Sequence, residues 1–412
     1  MNIIIINHYA GSPFYGMEFR PYYLAREWVK AGHNVRVLAG SYSHIRAKQP
    51  TMGDGTYTIE YIDGIEYCWC HTPTYKGNGI GRVKSMLTFI WRLLREAKAI
   101  ATSFKPDVVI ASSTYPMDIW PAERIAKLVG AQLIYEVHDL WPLSPMELGG
   151  MSRWHPFIMW VQWAEDYAYK KAHRVVSMLP KTSEYMLSRG MKAEKWTYVP
   201  NGVDAEEWRI REPLPADAHE ALQAVKARRL PVVGYAGTHG LANALDVLLD
   251  AACLLKGRVE FVLVGTGPER ERLLRRVSDE NLCNVTMLPS VSKASIPALL
   301  AAIDIAFIGW HPNPLYRFGI SPNKLMDYMM AGKPIVHSVA AGNDPVAEVG
   351  CGITVRPNDP EAIAEAVLFL AAMSPEEKWK MGQKGNAFIR AERTYEVLAQ
   401  HFLKAMAPNV LP

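Results

Sequence analysis

The segment SPNKLMDYMMAGKP, Ser321 to Pro334, reads as a short helix with a lysine in its first turn. Ser321 is a good N-cap, Pro322 suits the first helical position, and Ala331-Gly332 followed by Pro334 reads as the stop. The positive end of a helix dipole favours carboxylates there by about 0.3–1 kcal/mol, yet the turn carries Lys324 and no acid. A cation added to a positive helix end makes an anion site. The plainer alternative is a solvated lysine paired with Asp327, three residues on.

Two other turns in the same half carry glycines after strand-like runs. YAGTHG places Gly237 and Gly240 there, and VGTGPERERLL places Gly265 and Gly267 at the start of a helix. Arg317, Phe318, Gly319 and Ile320 lead directly into the lysine helix. Glycine after a strand is ordinary turn chemistry. Three such points on one sheet edge, however, expose backbone N–H groups and helix starts where phosphates bind. Neither G-x-G-x-x-G nor G-x-x-x-x-G-K-[ST] follows a strand, which counts against a dinucleotide enzyme or a P-loop ATPase. The pattern points to a phosphate-bearing ligand held without a metal.

In the first half, AGSPFYG (10–16) follows a strand and offers Gly11 and Gly16, while EVHDLWP (136–142) brings Glu136, His138, Asp139 and Trp141 to a strand end. A histidine there can hold a loop carbonyl or do chemistry. The adjoining charged and aromatic residues suit hydrogen bonds to sugar hydroxyls, with Trp141 shaping the pocket.

The elements that must position these residues follow from the apolar pattern. Strand-like runs at 3–6, 34–40, 107–113, 131–137 and 173–179 alternate with helical patterns, and so do runs at 231–237, 259–265, 284–289, 303–309, 333–338 and 352–357. This alternation predicts an α/β chain with two parallel sheets, joined near TYVPNGVD (197–204), with a cleft between them. The expected partition is 1–200 and 201–385, with a C-terminal helix at 386–412 that can cross back to the first domain. A helix is expected at 18–31. Another, at 82–105, has Val83, Met86, Leu87, Ile90, Leu94, Ala97 and Ala101 at helical spacing, and basic Arg82, Lys84, Arg92, Arg95, Lys98 and Lys105 against one acid, Glu96. It can pack on the sheet or lie against anionic headgroups through Trp91. The aromatic run at 154–173 reads as a large core helix.

Bulk properties bound the function. With 49% apolar and 21% charged residues over 412 positions, the chain is a folded protein of two or three domains. A net charge of +4 gives little support to a nucleic-acid binder. Cys68, Cys70, Cys253, Cys283 and Cys351 are scattered with no C-x-x-C pair, as expected of a reducing cytoplasm rather than a zinc site or disulfide framework. MNIIIINHYAG reads as a buried strand, not a signal peptide.

The motifs YEVHDLWP, VPNGVD, GYAGTHGLANALDVLL, VGTGPERERL, SPNKLMDYMMAGKP and MGQKGNAFI together resemble the retaining family 4 glycosyltransferases of GT-B fold, over nearly the whole chain. The likeness is to the branch that builds bacterial O-antigen and capsule, including the L-fucosamine transferases. It implies two Rossmann-like doubly wound domains and a sugar passed from a nucleotide diphosphate donor, UDP with an N-acetylated amino sugar. The implied acceptor is a glycan on a polyprenyl diphosphate at the inner face of the membrane, with no cofactor and no metal. By resemblance, Lys324 faces the donor diphosphate together with Ser321, Pro322, Asn323, Leu325, Gly237, His239, Gly240, Gly265 and Gly267. Asp327 stands where the family's second motif glutamate binds ribose, Gly16 lies near the phosphates, and His138 serves the donor sugar or the anomeric carbon. The family's first motif glutamate falls at Gly319. Its arginine and lysine pair is replaced in THGLAN, where His239 and Asn243, with Arg317, are candidate substitutes. A nucleotide-sugar 2-epimerase and a non-catalytic sugar-binding protein are the alternatives.

Overall fold

The computed structural model describes residues 1–16, 19–77, 79–210 and 212–407. Glu18, expected to begin the helix at 18–31, and residues 408–412 of the expected C-terminal element lie outside the described residues. The chain forms two compact units. One comprises Met1–Pro200 with the chain from Tyr395 onward, and the other is Asn201–Thr394.

The first unit holds one eight-stranded sheet, from β1 (Asn2–Ile6), β2 (Asn34–Gly40), β3 (Tyr57–Ile62), β4 (Ile65–Cys70), β5 (Val108–Ala111), β6 (Gln132–Val137), β7 (Arg174–Ser177) and β8 (Trp196–Tyr198). The order is β3-β4-β2-β1-β5-β6-β7-β8. Only the β3–β4 pair is antiparallel. The isoleucines of β1 are buried because the strand lies mid-sheet with both faces covered. Ile3 and Ile5 join a cluster with Trp28, Tyr395 and Phe402, and side-chain alternation turns Ile4 and Ile6 to the opposite face.

The second unit holds six parallel strands, β9 (Val232–Ala236), β10 (Glu260–Val264), β11 (Val285–Leu288), β12 (Ile305–Gly309), β13 (Ile335–Ser338) and β14 (Gly352–Thr354), in the order β11-β10-β9-β12-β13-β14. Phe261 and Leu263 pack on one face, Val262 and Val264 on the other. Being parallel, these strands deliver their following turns to one edge.

Several expectations are corrected. The pair β3 and β4 was not anticipated as strands, although Asp63-Gly64 between them is a strong hairpin signal, with φ of 50° and 80°. The helix Ile80–Phe104 has the expected period but a different phase. It buries Ser85, Met86, Phe89, Ile90, Leu93, Ala97, Ile100 and Ala101, and leaves Leu87 45% exposed. The helix Pro156–Lys171 buries Ile158, Val161, Ala164 and Ala168 but exposes Met159 and Trp163, so only one side of it is core. The helix Pro375–Glu392 stays with the second unit, and the return to the first begins at Tyr395 rather than after 385.

The lysine helix spans Asn323–Met330 and is seated on the second unit's core by Leu325, Met326, Tyr328, Met329 and Met330. Behind it runs the helix Pro375–Glu392, held close by two glycines. A Cβ on Gly382 would run into the Gly332 carbonyl, and one on Gly385 would sit 3.3 Å from the Met329 Cβ. Gly382→Ala therefore overpacks a backbone contact that cannot give way. We expect a cost of about 1–3 kcal/mol, read as a fall of several degrees in thermal midpoint.

Candidate functional site

The glycine turns and the lysine converge at the edge of the second unit. Lys324 Nζ donates to Asn243 Oδ1 at 2.6 Å and to the Tyr235 hydroxyl at 2.9 Å. Asn243 is itself set by a bond from its Nδ2 to the Thr238 carbonyl at 3.0 Å. Both partners are neutral, and no carboxylate among the described residues pairs with the ammonium. The Asp327 alternative is excluded, since that side chain turns to Lys293 at 3.8 Å. Burial brings the Lys324 pKa down to about 8, so the group stays charged at neutral pH. A Cβ on Gly237 would lie 3.3 Å from Lys324 Nζ, so only glycine leaves the turn backbone open beside the cation.

Gly265 brings the next turn against the first. A Cβ there would strike the Gly237 carbonyl and lie 3.1 Å from His239 Nε2, and Gly267 abuts the His239 backbone in the same way. The backbone locks the turns together, His239 N–H donating to the Thr266 carbonyl at 2.8 Å and Glu269 N–H to the His239 carbonyl at 3.0 Å. The helix after Gly267 starts at Arg270, later than expected.

The lysine helix starts differently from expectation. Its N-cap is Pro322, and no side chain caps it. The Ser321 hydroxyl instead accepts from Asn201 N–H at 2.9 Å, and the Ser321 carbonyl from Asn201 Nδ2 at 2.9 Å. The free amides at the helix start are left for another acceptor. Asn323 is exposed and Leu325 is buried in the core. Arg317 is not drawn into the cluster. It is exposed, donates to the Pro314 carbonyl at 2.6 Å and stacks on Phe318. Gly319 takes φ of 95°, a backbone that suits glycine and not the glutamate of the family motif. Burial raises the Asp327 carboxyl, opposed by Lys293 and a hydrogen bond from Trp208.

On the first unit, Glu136 and His138 stand at the end of β6. Glu136 is 2% exposed, and Arg20 Nε donates to its Oε1 at 2.9 Å while the Ser112 hydroxyl donates to its Oε2 at 2.6 Å. His138 Nε2 lies 3.0 Å from Ser112 Oγ and 3.3 Å from Glu136 Oε2. Burial would raise Glu136, but Arg20, His138 and Ser112 outweigh it and hold the carboxyl at about 2. Glu136 is thus spent on orienting its neighbours, not on a sugar hydroxyl as expected. Arg20 also binds the carbonyls of Val199 and Pro200. Asp139 is exposed, and Trp141 is half-buried with the Arg82 guanidinium 6.0 Å above its ring and 5.2 Å from that of Tyr9. Gly16 takes φ of 77° and closes a turn on the Ser12 carbonyl at 2.8 Å. Among the described residues, no group of three or more His, Cys, Asp or Glu side chains could hold a metal ion.

Sequence reasoning missed Arg20, Ser112, Tyr235, Asn201 and Lys293. Each is an ordinary strand, helix or turn residue whose partner is distant in the chain.

Residues 15–202 match the model of the glycosyl transferase 4-like domain, and residues 230–373 that of the glycosyl transferases group 1. No protein of curated function matches the chain in sequence. Among solved structures, sucrose-phosphate synthase from Thermosynechococcus elongatus is similar with a TM-score of 0.72 at 17% identity, over 98% of each chain. Anabaena HepE in complex with UDP and glucose is similar with a TM-score of 0.66 at 17% identity, over 98% of this chain and 99% of that one. WaaG, a glycosyltransferase involved in lipopolysaccharide biosynthesis, gives 0.65 at 14% identity, over 97% and 98%. These likenesses establish two parallel-sheet α/β domains of GT-B type.

The depressed Glu136 carboxyl has a measurable consequence. Its folded pKa of about 2 lies below its ordinary value of 4.5, so it contributes stability that is present above pH 4.5 and lost as pH falls towards 2. About 2 kcal/mol of the stability lost between pH 5 and pH 3 should trace to this residue. In urea unfolding, Glu136→Gln should be less stable at pH 7 and flatter across that range. An unchanged slope would remove Glu136 from the account.

Proposed function

For a chain that belongs to the family 4 glycosyltransferases of GT-B fold, we propose a retaining, metal-independent transfer of a sugar from a UDP-linked donor to a glycan acceptor. The observation that carries the reading is Lys324, a desolvated ammonium in the first turn of a helix, hydrogen-bonded only to neutral groups and standing over Gly237. A donor diphosphate supplies the anion this arrangement wants. As the glycosidic bond breaks, negative charge grows on the leaving diphosphate. A fixed cation and free helix amides then stabilise the transition state more than the ground state. A metal ion would do the same electrostatic work. Retention follows a front-face route, in which the leaving phosphate oxygen accepts the proton of the acceptor hydroxyl.

Uridine is the favoured base because Anabaena HepE, similar in fold, was crystallised with UDP, with UDP and glucose, and with UDP-glucose. We assign an N-acetylated amino sugar as the transferred group, and His138, steadied by Glu136 and Ser112, as the first unit's contribution to it. Asp139 and Trp141 then serve the acceptor pocket.

The acceptor proposed is a glycan on a polyprenyl diphosphate, as in bacterial surface polysaccharide assembly, which requires the enzyme to work at a membrane surface. No helix of the described residues is long and apolar enough to cross a membrane. The helix Ile80–Phe104, however, exposes one stripe of Ile80, Lys84, Leu87, Trp91, Arg95 and Lys98 at helical spacing. Ile80 is 88% and Trp91 56% exposed, with the Arg95 guanidinium 5.5 Å above the Trp91 ring. A merely solvated face has no use for isoleucine, leucine and tryptophan between its cations. An anionic headgroup layer accommodates both.

Two measurements test the reading. UDP with EDTA present should raise the thermal midpoint where GDP and NAD do not, since ligand at about 100 times its dissociation constant adds roughly 2.7 kcal/mol. Lys324→Ala should abolish that shift and cut transfer by a factor of about 1,000 with the fold intact. Turnover near wild type in this variant would sink the assignment. For the membrane, co-sedimentation with vesicles containing phosphatidylglycerol should exceed that with phosphatidylcholine alone. The difference should fall at least threefold in Trp91→Glu.

A further inference from the structure

The most unusual side chain in the second unit is a histidine that nothing satisfies. His239 is 0% exposed, and neither ring nitrogen has a hydrogen-bond partner among the described residues. Leaving a buried polar group unpaired costs about 1–3 kcal/mol, so native structures rarely keep one without a use. Its backbone is bonded on both sides to the Thr266–Glu269 turn, which fixes where the ring is rooted.

Arg270 and Lys324 are the nearest charges, and both are positive. From β9, the Tyr235 ring lies 6.1 Å away, centroid to centroid, and is neutral. The nearby carboxylates are engaged elsewhere, Glu269 with Arg272 at 2.6 Å and Glu271 with Arg270 at 3.7 Å. The ring is therefore neutral, its pKa pushed down to about 4 by burial, then by Arg270 and Lys324. Its Nε2 lies 3.1 Å from where a Gly265 Cβ would stand, hard against the Gly237 carbonyl, and Lys324 Nζ lies 3.3 Å from where a Gly237 Cβ would stand. Imidazole and ammonium thus stand at two adjoining glycine turns, close enough for the lysine to act on the ring.

We propose that His239 is a proton-linked ligand of the donor diphosphate, its imidazole taking a proton from solvent as the phosphates dock and becoming the second cation of the site. The inference rests on the nucleotide-sugar reading above. The physical reason is the sign of the local field. Empty, the site presents one unpaired cation, Lys324, and Arg270, paired with Glu271, adds to the field against a charged imidazole. A diphosphate brings two negative charges and several acceptor oxygens, reversing the field and offering the protonated Nε2–H an acceptor. The site then switches from one lysine to a lysine and histidinium pair only when occupied, doing the work that the family motif assigns to a permanent arginine and lysine. A site of this kind holds nucleoside diphosphates most firmly on the acid side of neutrality.

The test is titration calorimetry with UDP-glucose, whose phosphates remain ionised throughout the range. At pH 6.5, in buffers of low and high ionisation enthalpy, wild type should take up roughly half a proton or more per site. His239→Gln, which keeps an amide donor, should lose that uptake and bind about tenfold more weakly. In wild type alone, affinity should fall about threefold or more from pH 5.5 to 7, a range in which Lys324 stays charged. Binding that is flat with pH, equal in heat between buffers, or equally proton-linked in His239→Gln overturns the proposal while leaving the donor reading in place. Failure of wild type to bind either UDP-glucose or UDP-N-acetylglucosamine overturns the donor reading and this inference with it.

Discussion

A half-buried cation with no anion beside it is the constraint around which the second unit is arranged. The Lys324 ammonium is held by a tyrosine hydroxyl and an asparagine oxygen, neither of which neutralises it. Charge in such a place is costly, and a protein that only needed to fold would fill it with methionine. The cost is offset by packing away from the charge. Five residues of the eight-residue helix are buried in the core, and two glycines of the helix behind it bring the backbones into contact. The glycines in front, at 237, 265 and 267, have the opposite task of keeping side chains out. Close packing behind and bare backbone before are what let one lysine act at a fixed point.

The first unit uses charge differently. Glu136, Arg20, Ser112 and His138 form a closed set in which every acceptor has a donor, and the result is orientation rather than unmet demand. A satisfied buried network is rigid. The second unit leaves donors and a cation open; the first fixes a histidine by closing its partners off.

Much of this was legible before the structure. Alternation of apolar runs with helical patterns specified two parallel sheets, because parallel strands buried on both faces leave that signature. The lysine announced itself by opposing the helix dipole. Features resting on distant partners were not legible. Ser321 has the ideal chemistry of an N-cap, yet its hydroxyl is taken by the Asn201 amide. Glu136 looked available to a sugar until Arg20 was brought to it by the fold. Tyr235 reads as one more core aromatic in a strand, and only its hydroxyl on Lys324 distinguishes it. The phase of the helix Ile80–Phe104 was misjudged because both Leu93 and Leu94 fit the period, and the sheet beneath decides between them. The hairpin at 57–70 carries its signal in Asp63-Gly64, the two-residue turn between its strands.

The first unit is not continuous in the chain. Its helix Tyr395–Met406 lies on the helix Phe19–Lys30, with Trp28 Nε1 donating to the Ala399 carbonyl at 3.1 Å, Tyr23 stacked on Tyr395 at 4.7 Å and Trp28 edge-on to Phe402 at 5.3 Å. During synthesis the ribosome releases residues 1–200 long before this cover exists, so Trp28 and its neighbours wait with an apolar face uncovered. The unit encoded in the middle, Asn201–Thr394, is complete first. The order in which the two units receive their last residues is thus the reverse of the order in which they begin. The newborn chain passes through a stage in which the second unit has all its residues while the first still shows an apolar face.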